Sequence, residues 1–560
     1  MKSLFSILFF ISFQFLSVHL HSSSQVSCQQ TSEFEVSKLS SLCKVWGFMK
    51  YYHPKISKGK LDWDKELVKM IPIVMNCSTQ SDFNVAIDKW VSKYCKSSKN
   101  KPLDFSTMCD LSSSLKIDTN FVRSETVLKL KKSVILEKIG FFYRYSVSPT
   151  RAPYFDGEKS YAEIYDSIDL NYRLLGLFRF WNAIHYCYPY MNLLTVDWDL
   201  LLNDYITLII SASTNSEYFK ILREMALQLE DGHVYFDYRE GEKHSKNAKS
   251  TAEKFYPSFK TQYLENKLVV SELLIDTLSK YSLEVGDVIL KMDGEPVENI
   301  VEYEKKNFVL SYSNSAYFNH IMYSSIVSSV SNRIVVEFQR DESIVVDTIS
   351  LYSKSTLQEY KNAKLKQNSW YNIDTNIIYY NPSSSDKFSF WEMLSKTDYK
   401  EYGFVVDLRS YPEYVVDSIS KYFYAREICF ANSIFALYPG CFRVGKICRA
   451  SISDFQGKIV IIVNSNTLSR GEYIAMVFQA IPNVTTIGSQ TAGFDGSITW
   501  LPMPGGSSIS FTGQGIEYPD GQASQKSGVK IDVHVTPSIE GIKSNRDELL
   551  EKAIELIKNE

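Results

Sequence analysis

Lys458-Ile-Val-Ile-Ile-Val-Asn-Ser-Asn-Thr-Leu-Ser-Arg-Gly-Glu-Tyr-Ile-Ala-Met-Val-Phe-Gln-Ala480 is the stretch on which the fold of this chain turns. Its apolar run Lys458–Val463 reads as a buried strand, Asn464–Ser469 as a tight turn, and Tyr473–Ala480 as a helix. Ser469 stands at the helix mouth, where unpaired N–H groups and the helix dipole favour negative charge. A nucleophile attacking a carbonyl needs such surroundings, because it creates an oxyanion. A helix cap needs the same residue at the same place. The window alone leaves both readings open.

The rest of the chain frames the choice. Its 560 residues exceed one hydrophobic core, and roughly three to five domains are expected. A hydrophobic content of 44% supports packed domains, and a net charge of -3 gives no nucleic-acid footprint. Lys2 followed by the uncharged, mostly apolar run Leu4–Leu20 and by Ser22-Ser-Ser24 reads as an export signal over residues 1–24. No second stretch is long and apolar enough to span a bilayer, so an exported protein is expected: periplasmic, envelope-bound or secreted. Cys28 is a candidate lipid anchor, but Gln25-Val-Ser27 fits a lipobox poorly, so anchoring is the minor alternative. The other eight cysteines permit disulfides in an exported chain, with Cys441–Cys448 and Cys77–Cys95 as local options. Their spacing forms no CxxC pattern, so no structural zinc is expected, and no other metal or organic cofactor is implied.

The N-terminal half repeats itself. Leu42–Pro54 aligns with Leu177–Pro189, Asp62-Trp-Asp64 with Asp197-Trp-Asp199, Ser78-Thr79 with Ser213-Thr214, and Ser81–Phe83 with Ser216–Tyr218, all at one offset of 135 residues. One offset over four clusters marks a duplication. Each copy has helical periodicity and a Trp in its core, which predicts a helical domain over 30–150 and a helical cap over 160–250. The copies differ at their ends: the second runs Leu229-Glu-Asp-Gly-His-Val-Tyr-Phe236, and Ser98 stands where His233 would be in the first.

Short β-like runs follow at Lys267–Val270, Asp287–Met292 and Arg333–Phe338. Leu283–Val297 reads turn, strand, Asp-Gly turn, strand, and resembles the signature of PDZ domains, which hold peptide ends by strand addition. A PDZ-like module is expected over 256–350. From 370 to 560, strands alternate with helices, as in an α/β domain, and Leu549–Ile557 is an amphipathic terminal helix.

A serine nucleophile needs a base. No lysine lies between Arg470 and Gln525, and Lys526 and Lys530 sit in a polar turn. Among the histidines beyond the export signal (His53, His185, His233, His244, His320, His534), only His233 occupies a Gly-containing turn after a helix. A lone histidine is as readily structural as catalytic. Downstream carboxylates are Glu472, Asp495, Glu517 and Asp520.

Taken in order, Val405–Arg409, Thr467–Glu472, Gly488–Gly493, Gly528–Pro537 and Asn545–Ala553 resemble the blocks of one serine peptidase family. It comprises the C-terminal processing (tail-specific) proteases, the tricorn core and the interphotoreceptor retinoid-binding protein. The resemblance implies a crotonase-like α/β catalytic domain, Ser469 as nucleophile, His233 as the base of the tricorn-like branch, and Glu517 as its acidic member. It also implies an oxyanion site supported by Arg470, Gly232 and Glu413. Two departures stand out. Gly232 replaces the serine that precedes the histidine, and Ser410-Tyr-Pro-Glu413 replaces a glycine-rich turn, with Pro412 lacking an N–H. The expectation is an exported serine peptidase acting on a peptide or protein, with a multidomain α+β and α/β fold. The alternative is a non-catalytic ligand- or peptide-binding protein on the same scaffold.

Overall fold

The computed structural model describes residues 32–95, 111–112, 117–135, 138–140, 152–238, 255–274, 283–308, 329, 331–364, 368–383 and 387–559. The export signal, Cys28, Ser98, His244 and His320 lie outside them.

The two sequence copies fold alike. The first is α1 (Glu33–Tyr52), α2 (Trp63–Met75) and α3 (Gln80–Tyr94); the second is α4 (Leu170–Cys187), α5 (Trp198–Ser211) and α6 (Asn215–Leu227). Asp62 and Asp197 cap α2 and α5, and Thr79/Asp82 and Thr214/Glu217 form matching capping boxes on α3 and α6. In each copy two buried indoles exchange hydrogen bonds. Trp46 Nε1 donates to the Trp63 carbonyl (3.1 Å) and Trp63 Nε1 to that of Trp46 (3.0 Å). Trp181 and Trp198 do the same at 2.8 and 3.2 Å. The duplicated Trp positions thus fix the same helix–helix joint twice.

The copies share one core, which also takes in Leu501, Met503, Ile509 and Phe511 from the C-terminal half. At the joint Arg179, fully buried, pairs with Asp64 (2.5 Å) and Glu158 (3.0 Å) and donates to the Pro502 carbonyl (2.7 Å). These contacts fasten the helical region to the C-terminal half.

Seven strands among the described residues of 255–353 form an antiparallel β module. Asp293 and Gly294, both at positive φ, make the two-residue turn between strands Val288–Met292 and Glu295–Pro296.

The C-terminal half has two sheets, and the following strands are labelled: β1 (Gly403–Asp407), β2 (Ile428–Tyr438), β3 (Cys441–Arg449), β4 (Ile459–Val463), β5 (Val484–Gly488), β6 (Ser497–Met503) and β7 (Ser507–Glu517). In one sheet Ile377–Tyr380, β1, β4, β5 and Val533–His534 run parallel, with Trp370–Asp374 antiparallel at the edge. β1 and β4 are buried along their whole length, as continuous apolar runs require. The other sheet is antiparallel, in the order Leu111–Ser112, β3, β2, β7, β6, with Phe236–Asp237 paired to β7. That last pairing draws the end of the second helical copy onto the C-terminal half. The architecture is the expected mixture of a duplicated helical region, a β module and an α/β domain.

The disulfides differ from the expected local bridges. Cys429 is bonded to Cys448, its cross-strand partner between β2 and β3, and Cys441 is also disulfide-bonded. Cys441 and Cys448 share one extended strand and are held about 20 Å apart by its rise. Cys77 and Cys95 flank the two ends of α3 and remain free.

Candidate active site

The helix after the turn is α7 (Arg470–Gln479), and Ser469 precedes it at φ 50°, ψ -115°. This conformation is unusual for a residue with a Cβ. Glu472 helps hold it: its carboxylate, fully buried, accepts from Ser469 N–H (3.2 Å), Thr491 Oγ1 (2.6 Å), Gly493 N–H (2.8 Å) and Phe494 N–H (3.0 Å). Burial raises the Glu472 pKa to about 7 against the pull of those four donors. Glu472, one of the four downstream carboxylates, is therefore the knot that ties the serine turn to 491–494.

His233 Nε2 lies 3.3 Å from Ser469 Oγ, across 236 residues of sequence. The imidazole is buried, and Phe494 meets it edge-on at 5.1 Å. Its other nitrogen, Nδ1, lies 2.8 Å from Thr512 Oγ1 on β7. The Thr512 hydroxyl donates its single proton to Asp231 Oδ1 (2.9 Å), because a carboxylate can only accept. Thr512 must then accept from Nδ1–H, which leaves the Nε2 lone pair facing Ser469. Burial holds the His233 pKa below its usual value, while the Asp231 charge partly opposes this. Asp231 is buried and also accepts from His233 N–H (3.0 Å), Thr512 N–H (2.7 Å) and Gln525 Nε2 (3.2 Å).

The structure thus brings Ser469 and His233 together, but not Glu517. The Glu517 carboxylate accepts from Asn432 Nδ2 on β2 (3.1 Å), and the group behind His233 is Asp231 acting through Thr512. The cause is register. β7 pairs with Phe236–Asp237 at Ile509 and Ser508, which sets Thr512 beside the histidine and leaves Glu517 at the far end of the strand, against β2. Sequence carried a hint of Asp231, since an aspartate two residues before His233 forms an Asx turn. Nothing local pointed to Thr512.

The supporting residues also take definite places. A Cβ on Gly232 would lie 2.1 Å from Phe494 Cδ1, so Phe494 excludes a serine there. Arg470 starts α7, where the first N–H groups have no intrahelical acceptor, and its side chain donates to the Pro412 carbonyl (3.3 Å). Glu413 N–H is taken by the Pro382 carbonyl (2.9 Å), and Pro412 has none. A cleft of about 720 Å³ opens over the pair, walled by the β2–β3 hairpin, the start of β6 and Tyr154, Tyr411, Tyr414 and Tyr473.

With this geometry in view, comparison with known proteins is informative. Residues 389–535 match the description of peptidase family S41. They form a peptidase family S41 domain. The S41 assignment makes the protein a serine-type peptidase. Mature CPAF complexed with lactacystin is similar in fold, with 12% identity over 70% of this chain and 98% of that chain, at a TM-score of 0.52. Mature CPAF alone gives 12% identity, 70% and 97% coverage, and a TM-score of 0.51. The chain has no match among curated protein sequences.

Proposed function

We propose that this S41 peptidase is exported and hydrolyses peptide bonds with Ser469 as nucleophile and His233 as general base. The observation that carries the reading is the 3.3 Å approach of His233 Nε2 to Ser469 Oγ, with Nε2 unprotonated by the Thr512–Asp231 chain. In attack, Ser469 Oγ bonds the scissile carbonyl carbon as its proton passes to Nε2. The charge gained by the ring is stabilised by Asp231 through Thr512. His233 then returns the proton to the leaving amine, and water repeats the sequence to release the acyl group.

Arg470 N–H at the mouth of α7 is one donor to the oxyanion. The turn at Pro412–Glu413 offers it nothing further, one residue lacking an N–H and the other bonded to Pro382. Loss of one oxyanion donor costs roughly 10²–10³ in rate, so a slow turnover number is expected.

The β module over 255–353 engages the substrate as a PDZ-like element; its Asp-Gly hairpin supports that assignment. Export is supported by the N-terminal apolar run and by the Cys429–Cys448 bridge, since disulfides persist in oxidising compartments. No helix among the described residues is long and apolar enough to cross a membrane. The test is peptide hydrolysis by purified protein: Ser469→Ala should abolish it, and unchanged hydrolysis would refute the assignment.

A further inference from the structure

The cleft above Ser469 is unevenly charged. Lys446 and Arg449 on β3 and Arg470 at the start of α7 all line it. Arg449 is paired with Asp417 (2.9 Å), whereas Lys446 is exposed and has no ionic partner among the described residues. Asp495 is the one acidic side chain in the lining among the described residues, and it is 2% exposed. One of its oxygens accepts from Gly496 N–H (2.6 Å), and the other is buried without a partner. Burial, reinforced by the neighbouring Glu472, pushes its pKa well above the usual carboxylate range. The opening of α7 adds its positive dipole end on the same side. Tyr154, Tyr411 and Tyr414, each about half exposed, stand around the cleft with apolar rings and hydroxyl donors.

We infer that this cleft selects peptides bearing a carboxylate beside the scissile bond, read by Lys446, Arg449 and Arg470. The inference rests on the serine-peptidase reading for its location, but it concerns binding and can be tested apart from catalysis. Rim cations steer an oppositely charged ligand and discriminate against a like charge, and their effect weakens with salt. The carboxylate can come from an Asp or Glu side chain or from the chain's own C-terminus.

The experiment uses the full chain as Ser469→Ala, so that no peptide is consumed. Fluorescein-labelled peptides differing only by Glu, Gln or Lys at positions flanking the expected scissile bond are titrated, each with a free or an amidated C-terminus. The Glu peptide should bind roughly tenfold tighter than the Lys peptide at low salt, with Gln between them and the spread collapsing at 0.5 M salt. Lys446→Glu should reverse the order of Glu and Lys. A preference that follows the free C-terminus alone would identify the terminal carboxylate as the source. Equal affinities, tighter binding of the Lys peptide, or an order unmoved by Lys446→Glu would overturn the inference. Hydrolysis of the same peptides by the unaltered protein reports on the serine mechanism separately.

Discussion

The two helical copies have the same inner construction and different employment. Both lock a Trp pair by reciprocal indole–carbonyl bonds, and both start their third helix with a threonine capping box. Only the second has the sequence Asp231-Gly-His233 at its end, and among the described residues it alone continues as a short strand on β7. Duplication preserved what packing demands. The site was built where one copy's exit meets another sheet. The comparison teaches that a repeated core says little about function, whereas the place at which two repeats stop matching says a good deal.

The largest effect should come from removing what is unique to the second copy. His233→Ala should lower kcat at least about 10⁴-fold in a peptide assay, with thermal unfolding little changed. A drop below tenfold would mean that another group serves as base. Next comes the relay. Asp231→Asn should cost roughly 10²–10⁴ in kcat by weakening support of the charged ring, whereas Glu517→Gln should stay within about threefold. The reverse order would restore Glu517 as the acidic member.

The shared construction should respond symmetrically. Trp46→Phe and Trp181→Phe each leave a carbonyl without its indole donor, and each should destabilise by about 1–3 kcal/mol in chemical denaturation. A difference above about 2 kcal/mol between them would show that the copies are not energetic equivalents.

The smallest effect is a displaced pH limb. His233 is the base when neutral, and burial lowers its pKa from 6.5, so kcat/KM should hold as pH falls through 6.5 and decline only below it. His53, at the end of α1, is also held low by burial, yet His53→Gln should leave that limb in place. A limb above pH 7 would contradict the assignment.

Much of this was legible in sequence, and the boundary is physical. The strand–turn–helix at 458–480, the Trp-marked repeat and the Asp293-Gly294 hairpin are local patterns, and local patterns carry their own geometry. The choice of Asp231 over Glu517 was not legible, because it depends on which β7 residue faces the incoming strand Phe236–Asp237. A register shift of one residue would turn Thr512 to the opposite face. The Cys429–Cys448 bridge was hidden for the same reason, since the β2–β3 register sets it. The part played by Glu472 was hidden because its donors at 491–494 come from a separate loop.

The central claim is that the second copy delivers His233 to activate Ser469. A fluorophosphonate reacts with an activated serine and leaves a mass tag that peptide mapping can locate. The account predicts one tag, on Ser469, formed at least about 10³-fold more slowly in His233→Ala and absent in Ser469→Ala. A tag on another residue, or labelling of Ser469 at the same rate without His233, would contradict it.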